Sequence, residues 1–355
     1  MMNFDIQKTT SPKAKPQDES KLGFGRIFSD HMFIMEYEKG KGWYNARIQP
    51  YQNLSLDPAS PVLHYGQEIF EGLKAYRADN DDILLFRAKE NAKRLNRSAE
   101  RMCMAQVDVD LNYEAIRAIV DCERDWVPHN PGTSLYLRPT LIADGNALGV
   151  HAAHKYIYYI ICAPSGAYYA NGLAPIRIYV EDKYVRAVAG GTGYAKTGGN
   201  YASSLKAAEE AEAKGYAQVL WMDGLERKYV EEVGAMNMMF VVGDTLITAA
   251  LEGSILPGIT RMSILQLARD MGIKVEERKV SIAELLDAAD SGELKEAFGT
   301  GTAAVVSPVG ELTYKDKTVV VNNNEIGTLT QKLYDTLTGI QTGKIEDKYG
   351  WVTRV

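Results

Sequence analysis

Residues 190–205 read GGTGYAKTGGNYASSL, and the fold depends on what Lys196 does in this stretch. A phosphate-binding loop has the form G-x-x-x-x-G-K-[ST], and Gly190 stands at the correct distance from Lys196 and Thr197. Ala195 occupies the position of the second glycine, and Gly198 and Gly199 follow where the first helical turn of such a loop must form. Each glycine costs a helix about 1 kcal/mol, so the helix is expected to start only near Asn200 or Tyr201. Val219–Asp223 (VLWMD) imitates the apolar run and aspartate that hold Mg²⁺ in nucleotide-binding proteins. Asp223-Gly224 is nevertheless a hairpin signal, and a hairpin-turn aspartate is expected to point into solvent. Five glycines between 190 and 199 imply backbone that approaches something closely or adopts positive φ. Three readings of Lys196 follow: phosphate clamp, covalent catalyst or exposed loop lysine.

The 355 residues exceed what one hydrophobic core usually serves, so two domains are expected. A net charge of −6 gives no basic field for nucleic acid or anionic lipid. The strongly apolar run Ile157–Ala163 is too short to span a bilayer and reads as a buried strand. The polar N-terminus lacks an apolar signal region, and Cys103, Cys122 and Cys162 are dispersed without a CxxC pair; both suit reduced thiols in the cytoplasm. His151 and His154 form an HxxH pair with no evident third ligand, so no metal is expected there and solvated loop histidines are the better reading.

Residues 1–20, rich in Lys, Pro, Ser and Gln, are read as a flexible leader. A small α/β domain is expected over 21–164, an interdomain loop over 165–175 (SGAYYANGLAP), and a larger domain over 176–355. Phe24–Glu38 alternates as a strand, and LKAYRADNDDILLFR forms a hairpin. AKENAKRLNRSAERM has helical apolar spacing, and DLNYEAIRAIVDCERDW is expected to be a helix capped by Asp110. NYASSLKAAEEAEAKGY reads as one helix with Asn200 as cap and Gly215 as stop. Three further helices are expected in GITRMSILQLARDMG, SIAELLDAADSG and EIGTLTQKLYDTLTGIQ. Strands and helices mix without regular βα alternation, which gives a mixed α/β (α+β) class rather than a doubly wound nucleotide fold.

A covalent lysine under a cofactor ring makes demands on the rest of the chain. Pyridoxal 5′-phosphate needs a phosphate cradle, an acid opposite its ring nitrogen and a donor near its 3′-oxygen. SILPGITRMSIL places Pro257-Gly258 before a helical pattern, so the amides of Ile259 and Thr260 form an anion site at a helix N-terminus. VEEVGAMN puts Glu231 and Glu232 at the end of a strand, and FGTGTAAVV is a Gly/Thr turn able to offer N–H groups to an anion. Taken singly, an ordinary Pro-Gly turn and solvated carboxylates explain these segments as well.

Together and in this order the segments resemble the branched-chain amino acid aminotransferases, which are fold-type IV pyridoxal-phosphate enzymes. The resemblance runs from about Phe24 to the C-terminal WVTRV through FGRIFSDHMFIMEY, RIQPYQNLSLDPASPVLHYGQEIFEGLKAYR, GTSLYLRPTLI, GGTGYAKTGGNYA, QVLWMDG, EEVGAMN, SILPGITR and FGTGTA. It implies a homodimer at least, and ping-pong amino transfer between Leu, Ile or Val and 2-oxoglutarate. Lys196 is implied as the Schiff-base lysine, Tyr201 as the partner of the 3′-oxygen, and Glu232 as the carboxylate facing the ring nitrogen. Arg94, Ile259, Thr260 and Thr302 are implied to hold the phosphate. Phe24, Tyr65, Phe70 and Tyr168 match positions enclosing an aliphatic side chain, although each alone would be read as core. Tyr136 and Arg138 match residues that accept the second carboxylate of glutamate, and the backbone at Thr302-Ala303 matches the α-carboxylate site. Two departures stand out. Ala304 and Ser307 occupy the positions of a CxxC redox pair carried by some members, so no thiol switch is expected there. Ala235 replaces a threonine and removes one hydroxyl contact behind the ring. The rivals sharing this fold are D-amino acid aminotransferase and aminodeoxychorismate lyase; the rival from another class is a P-loop nucleotide-binding protein.

Overall fold

The structure is a computed structural model describing residues 4–168 and 172–355. Its contacts divide the chain into two compact units. One comprises Met1–Ala170, Ala195–Gly198 and Gly339–Val355; the other comprises Asn171–Tyr194 and Gly199–Thr338. The tetrapeptide carrying Lys196 thus belongs with the first unit, while the chain on both sides of it belongs to the second. Residues 169–171, inside the stretch read as an interdomain loop, lie outside the described residues.

The first unit is built on one sheet. Its strands are β1 (Asp5–Ile6), β2 (His31–Glu38), β3 (Gly42–Pro50), β4 (Glu68–Phe70), β5 (Leu73–Arg77), β6 (Ile83–Phe86), β7 (Ser134–Asp144) and β8 (Lys155–Ser165). The order is β1-β3-β2-β8-β7-β5-β6, closed by the C-terminal strand Val352–Arg354, with β4 on the free part of β7. Helices α1 (Pro61–Tyr65), α2 (Ala88–Arg101) and α3 (Val109–Cys122) accompany it, with short 3-10 turns at Glu19–Lys21 and Arg124–Trp126. The core joins Phe33, Ile69, Leu85, Leu137 and Tyr158 of the sheet to Leu95 of α2 and Ile116 and Ile119 of α3. Along β8, Tyr156, Tyr158, Ile160 and Cys162 enter this core at every second position, and Ile116 and Ile119 of α3 are three apart, which makes one apolar face on each.

Three expectations change here. The strand expected from Phe24 starts at His31, and residues 24–30 are irregular. Helix α3 is capped two residues earlier than expected: Asp108, not Asp110, accepts the amides of Asp110 and Leu111. The leader is attached from residue 5 on, because β1 pairs in parallel with β3 and the Thr9 amide donates to His31.

The second unit carries β9 (Ile176–Val180), β10 (Gln218–Met222), β11 (Val230–Val233), β12 (Met236–Val242), β13 (Thr245–Thr248), β14 (Lys274–Glu277), β15 (Leu294–Gly301), β16 (Val305–Tyr314) and β17 (Lys317–Val320). They form a mixed sheet in the order β11-β10-β9-β16-β15-β12-β13-β14, with β17 on β16 and β11 also pairing β12. Its helices are α4 (Gly198–Ala202), α5 (Leu205–Glu212), α6 (Ile259–Asp270), α7 (Ile282–Asp290) and α8 (Thr328–Gln341), the last running on into the first unit.

The helix expected over NYASSLKAAEEAEAKGY is two helices, broken at Ser203-Ser204, whose hydroxyls bond back to the carbonyls of Asn200 and Tyr201. Short hydroxyl side chains compete with the backbone in this way. The first helical turn starts at Gly198 rather than at Asn200, so the glycine pair does not delay it. Asn200 is no cap; it is buried and bonds to Thr192. Asp223 does not point into solvent either. Its carboxylate accepts the amides of Leu225, Glu226, Lys228 and Tyr229 and organises a loop longer than a two-residue turn.

Candidate active site

In the first unit, Lys196 is gripped through its backbone. Its amide donates to Ser98 Oγ of α2 at 2.9 Å, and its carbonyl accepts the Phe70 amide of β4 at 3.0 Å. The next two residues are held as well: Thr197 Oγ1 donates to the Glu68 carbonyl at 2.7 Å, and the Gly198 amide donates to Glu68 Oε1 at 2.5 Å. Burial raises the pKa of Glu68, while the Gly198 amide and the Arg138 charge oppose that rise. A phosphate-binding loop needs its lysine-proximal amides and its Thr hydroxyl directed at the ligand. Here protein groups take them, and the Glu68 carboxylate fills the place where an anion would sit. The P-loop reading ends there.

The Lys196 Nζ lies 4.8 Å from the centroid of the Phe70 ring. The guanidinium of Arg138 lies 4.6 Å from the same ring and 5.3 Å from that of Tyr136, whose hydroxyl accepts from Arg138 Nη2 at 3.1 Å. Phe24 packs edge-on against Tyr136 at 4.8 Å. Four of the expected substrate residues thus gather around Lys196: an apolar wall of Phe24, Phe70 and Tyr136 with one cation at its edge. Tyr65 donates its hydroxyl to the Leu148 carbonyl. Phe24, Tyr65 and Tyr168 are 46%, 43% and 48% exposed, so the plain core reading fails for all three.

Arg94 is no surface arginine. It is 4% exposed and grips Glu71, itself 1% exposed, through Nε and Nη2 at 2.8 Å each. Glu71 also accepts from Asn91 at 2.8 Å and from the Gly72 amide at 3.3 Å.

In the second unit, the two neighbouring glutamates separate because successive strand residues point to opposite faces. Glu232, 3% exposed, accepts from Asn237 Nδ2 at 3.0 Å and from Arg186 Nη2 at 2.8 Å. Glu231 binds the Ser254 hydroxyl with one oxygen, and its other oxygen is buried without a partner among the described residues. It borders a cavity of about 90 Å³ lined also by Tyr229, Ser254 and Lys279. Burial raises the pKa of Glu231, with Ser254 and Arg186 opposing the rise.

Glu232 stands opposite Asn237 on β12, which stands opposite Thr300 on β15. The three make a polar row across adjacent strands. The tight β11–β12 turn sets this register, and Gly234 there has φ +55° with Gln218 packed where a side chain would project. Helix α6 opens at Ile259 and Thr260 after Gly258, with no side chain capping its first turn among the described residues. A Cβ at Gly258 would run into the Asn237 side chain, so the helix start is drawn against the polar row. Thr302 and Ala303 occupy the turn between β15 and β16, and Tyr201 lies on α4. Ala235 is the exposed turn residue beside Gly234.

Do these residues fit a planar cationic ring bearing a phosphate? Thr300 Oγ1 is buried with no partner among the described residues, in line with a buried carboxylate and beside an uncapped helix start. An acceptor for a ring N–H, spare hydroxyl capacity and orphan amides for an anion are what such a group requires. They fit.

The sequence reading missed Glu68, Glu71, Ser98, Arg186, Asn237 and Thr300. Only Asn237 had a local signal: a two-residue turn at Gly234-Ala235 puts it opposite Glu232. The others act through contacts far along the chain. His31, Cys122 and Glu123 also cluster, but both His31 ring nitrogens are engaged, one by Glu123 and one by the Thr9 amide, which suits a structural tie. No cation is needed to explain it.

The family model of class IV amino-transferases matches residues 68–312. The chain belongs to the class IV aminotransferases. This aminotransferase is 55% identical over 353 residues to branched-chain-amino-acid transaminase 1 of Bacillus subtilis (strain 168), covering 99% of both chains. Its fold matches the Escherichia coli branched-chain amino acid aminotransferase with TM-score 0.76 at 29% identity, over 91% of this chain and 98% of that one. It also matches the T.th. branched-chain amino acid aminotransferase, crystallised with pyridoxamine 5′-phosphate, with TM-score 0.75 at 27% identity over 90% and 97%. The mixed α/β aminotransferase fold expected from the sequence is the one observed, and among the described residues no helix is long and apolar enough to cross a membrane.

Proposed function

We infer that the chain is a branched-chain amino acid aminotransferase, moving an amino group reversibly between leucine, isoleucine or valine and 2-oxoglutarate with pyridoxal 5′-phosphate as cofactor. Full-length likeness to relatives of that name supports the reading. The observation that carries it within the chain is Glu232, a buried carboxylate on which Arg186 and Asn237 converge.

When bound, the cofactor supplies an aldehyde that takes up the amino group and a protonated ring that draws electrons from Cα. Lys196 would hold the cofactor covalently through Nζ, and the same amine, once the substrate's amino group has displaced it, would move the proton at Cα. Glu232 would hold the proton on the ring nitrogen, and Tyr201 would bond the 3′-oxygen. The amides of Ile259 and Thr260 would hold the phosphate with Arg94 and Thr302; the positive end of α6 favours that charge.

Phe24, Phe70, Tyr65 and Tyr168 enclose the aliphatic chain, whose burial is worth about 2 kcal/mol for leucine. Tyr136 and Arg138 receive the second carboxylate of glutamate at the rim of the same apolar wall, which lets one pocket serve both partners. The backbone at Thr302-Ala303 would hold the α-carboxylate.

A homodimer, working in the cytoplasm, belongs to the same reading. Leu63, Tyr65, Leu148 and Val150 are large apolar residues exposed in the first unit, and the Tyr65–Leu148 bond ties two of them together, which supports a covered face. The test is borohydride reduction of the holoprotein followed by peptide mapping, together with half-reactions using leucine, valine, isoleucine, glutamate and D-alanine. Label on Lys196 and turnover of the branched L-amino acids are expected. Label on another lysine, or preference for D-alanine, overturns the assignment.

A further inference from the structure

Arg186 lies in the segment after β9 with its side chain buried, and it has no part in the roles assigned above. Its Nη2 meets Glu232 Oε2 at 2.8 Å and also bonds the carbonyl of Ser254. Asn237 Nδ2 meets the other Glu232 oxygen at 3.0 Å and is itself fixed by the Leu256 carbonyl at 2.9 Å. Both carboxylate oxygens of Glu232 are therefore aimed by donors that are anchored elsewhere. The Ser254 carbonyl is also the group that a Cβ at Gly193 would strike, so Gly193, in the glycine-rich approach to Lys196, packs on the same backbone that seats Arg186.

Consider where a proton goes when a pyridine nitrogen meets this carboxylate. Two arrangements have equal net charge: carboxylate with pyridinium, or carboxylic acid with neutral pyridine. In an apolar interior the neutral pair is favoured, because each separated charge loses its hydration. A guanidinium beside the carboxylate reverses the preference. A proton on Glu232 would lie next to a fixed positive charge, whereas a proton on the ring nitrogen lies farther from it. Arginine suits the task because it does not give up its own proton. A second carboxylate that feels Arg186 is Glu231, which burial pushes toward its neutral form and which Ser254 already holds, so it competes weakly for the guanidinium.

We propose that Arg186 is a positioning residue that, with Asn237, fixes Glu232 as a carboxylate and thereby places the shared proton on the cofactor's ring nitrogen. This rests on the reading that Glu232 faces that nitrogen. The proton is what makes the ring an electron sink, so Arg186 controls Cα–H cleavage without touching substrate.

The experiment is NMR of holoprotein reconstituted with ring-nitrogen-labelled pyridoxal 5′-phosphate, on the wild type, Arg186→Met, Arg186→Lys and Glu232→Gln. Wild type and Arg186→Lys are expected to give a pyridinium signal, and Arg186→Met a signal displaced toward neutral pyridine. Its kcat is expected to fall roughly 10–100-fold, the usual effect of losing a partner one shell out, with KM for leucine changing much less. A full pyridinium signal in Arg186→Met, with Glu232→Gln displaced, overturns the role of Arg186 alone. An unchanged signal in Glu232→Gln overturns the placement of Glu232 itself. If Arg186→Met does not retain cofactor, Arg186→Gln replaces it as the uncharged variant, and Arg186→Lys decides: a neutral-pyridine signal despite the retained cation overturns the proposal.

Discussion

Replacing Glu71 by glutamine keeps its volume and removes its charge, and the consequence follows from four hydrogen bonds. Oε2 accepts from Arg94 Nη2, Asn91 Nδ2 and the Gly72 amide, and Oε1 accepts from Arg94 Nε. An amide has one oxygen. Placed at the crowded position, that oxygen leaves the NH₂ group facing Arg94 Nε–H, donor against donor; turned over, it faces more donors still. Arg94, 4% exposed, would then stay buried while losing the charge of Glu71. Breaking such a pair from one side costs about 3–5 kcal/mol. The first unit holds roughly 190 residues, and at ~2.1 cal/mol/K of unfolding entropy per residue its melting temperature is expected to fall by about 8–12 °C. Calorimetry of the cofactor-free protein measures this, with urea unfolding as a check on reversibility. The double variant Glu71→Leu/Arg94→Met removes both charges and is expected to regain most of the loss, while binding pyridoxal 5′-phosphate more weakly because Arg94 is gone. A Glu71→Gln protein melting within about 2 °C of wild type would refute the reasoning, since the threshold is well below the cost of one uncompensated buried charge.

Ser98→Ala withdraws the acceptor of the Lys196 amide; an unsatisfied buried donor costs about 1–3 kcal/mol, so amide exchange at Lys196 is expected to accelerate and kcat to fall while circular dichroism is unchanged. Arg138→Met is expected to raise KM for glutamate and 2-oxoglutarate at least about tenfold and leave the leucine half-reaction nearly intact, in line with a charge-assisted pair worth roughly 1.5–3 kcal/mol; equal losses on both substrates would refute the rim position of Arg138. Burial pushes the Lys74 ammonium down from 10.5 to about 8, so between those values the unfolded chain binds the extra proton and stability rises with pH. Lys74→Met is expected to flatten that rise, which amounts to about 3 kcal/mol. Tyr156, pushed up from 10.0 to about 12 by burial, acts in the opposite sense over its own window. There the folded chain keeps the proton and stability falls as pH climbs; urea midpoints from pH 7 to 11 separate the two, and a Lys74→Met profile parallel to wild type sinks the Lys74 assignment.

What the sequence disclosed had short range. Glycine spacing singled out Lys196, the Pro-Gly step announced the start of α6, and the doubled glutamate marked the strand end at β11. Periodicity located nearly every long helix. Errors came where two local signals competed: Asp108 and Asp110 are both adequate caps, and the apolar pattern does not distinguish them. Similarly, the strong run of alanine and glutamate in α5 concealed the break that Ser203 and Ser204 make with their hydroxyls. Glu71, Ser98 and Arg186 were beyond reach for a different reason. Each is a single polar residue whose partner lies 23, 98 or 46 positions away, and nothing within a helical turn of it hints at that partner.

The two-residue turn between β11 and β12 also sets a tolerance. Side chains alternate faces along a strand, so inserting one residue before Gly234 and keeping the hairpin would bring Val233 opposite Asn237; deleting Val233 and keeping the hairpin would bring Glu231 there in place of Glu232. In that second arrangement a carboxylate would still stand in the row. It would meet the same Asn237 and Arg186, because those partners belong to other segments and do not move with the strand. A doubled glutamate therefore offers a spare carboxylate against a deletion and none against an insertion. Which of the two stands opposite Asn237 is decided by the number of residues between the strand and its turn.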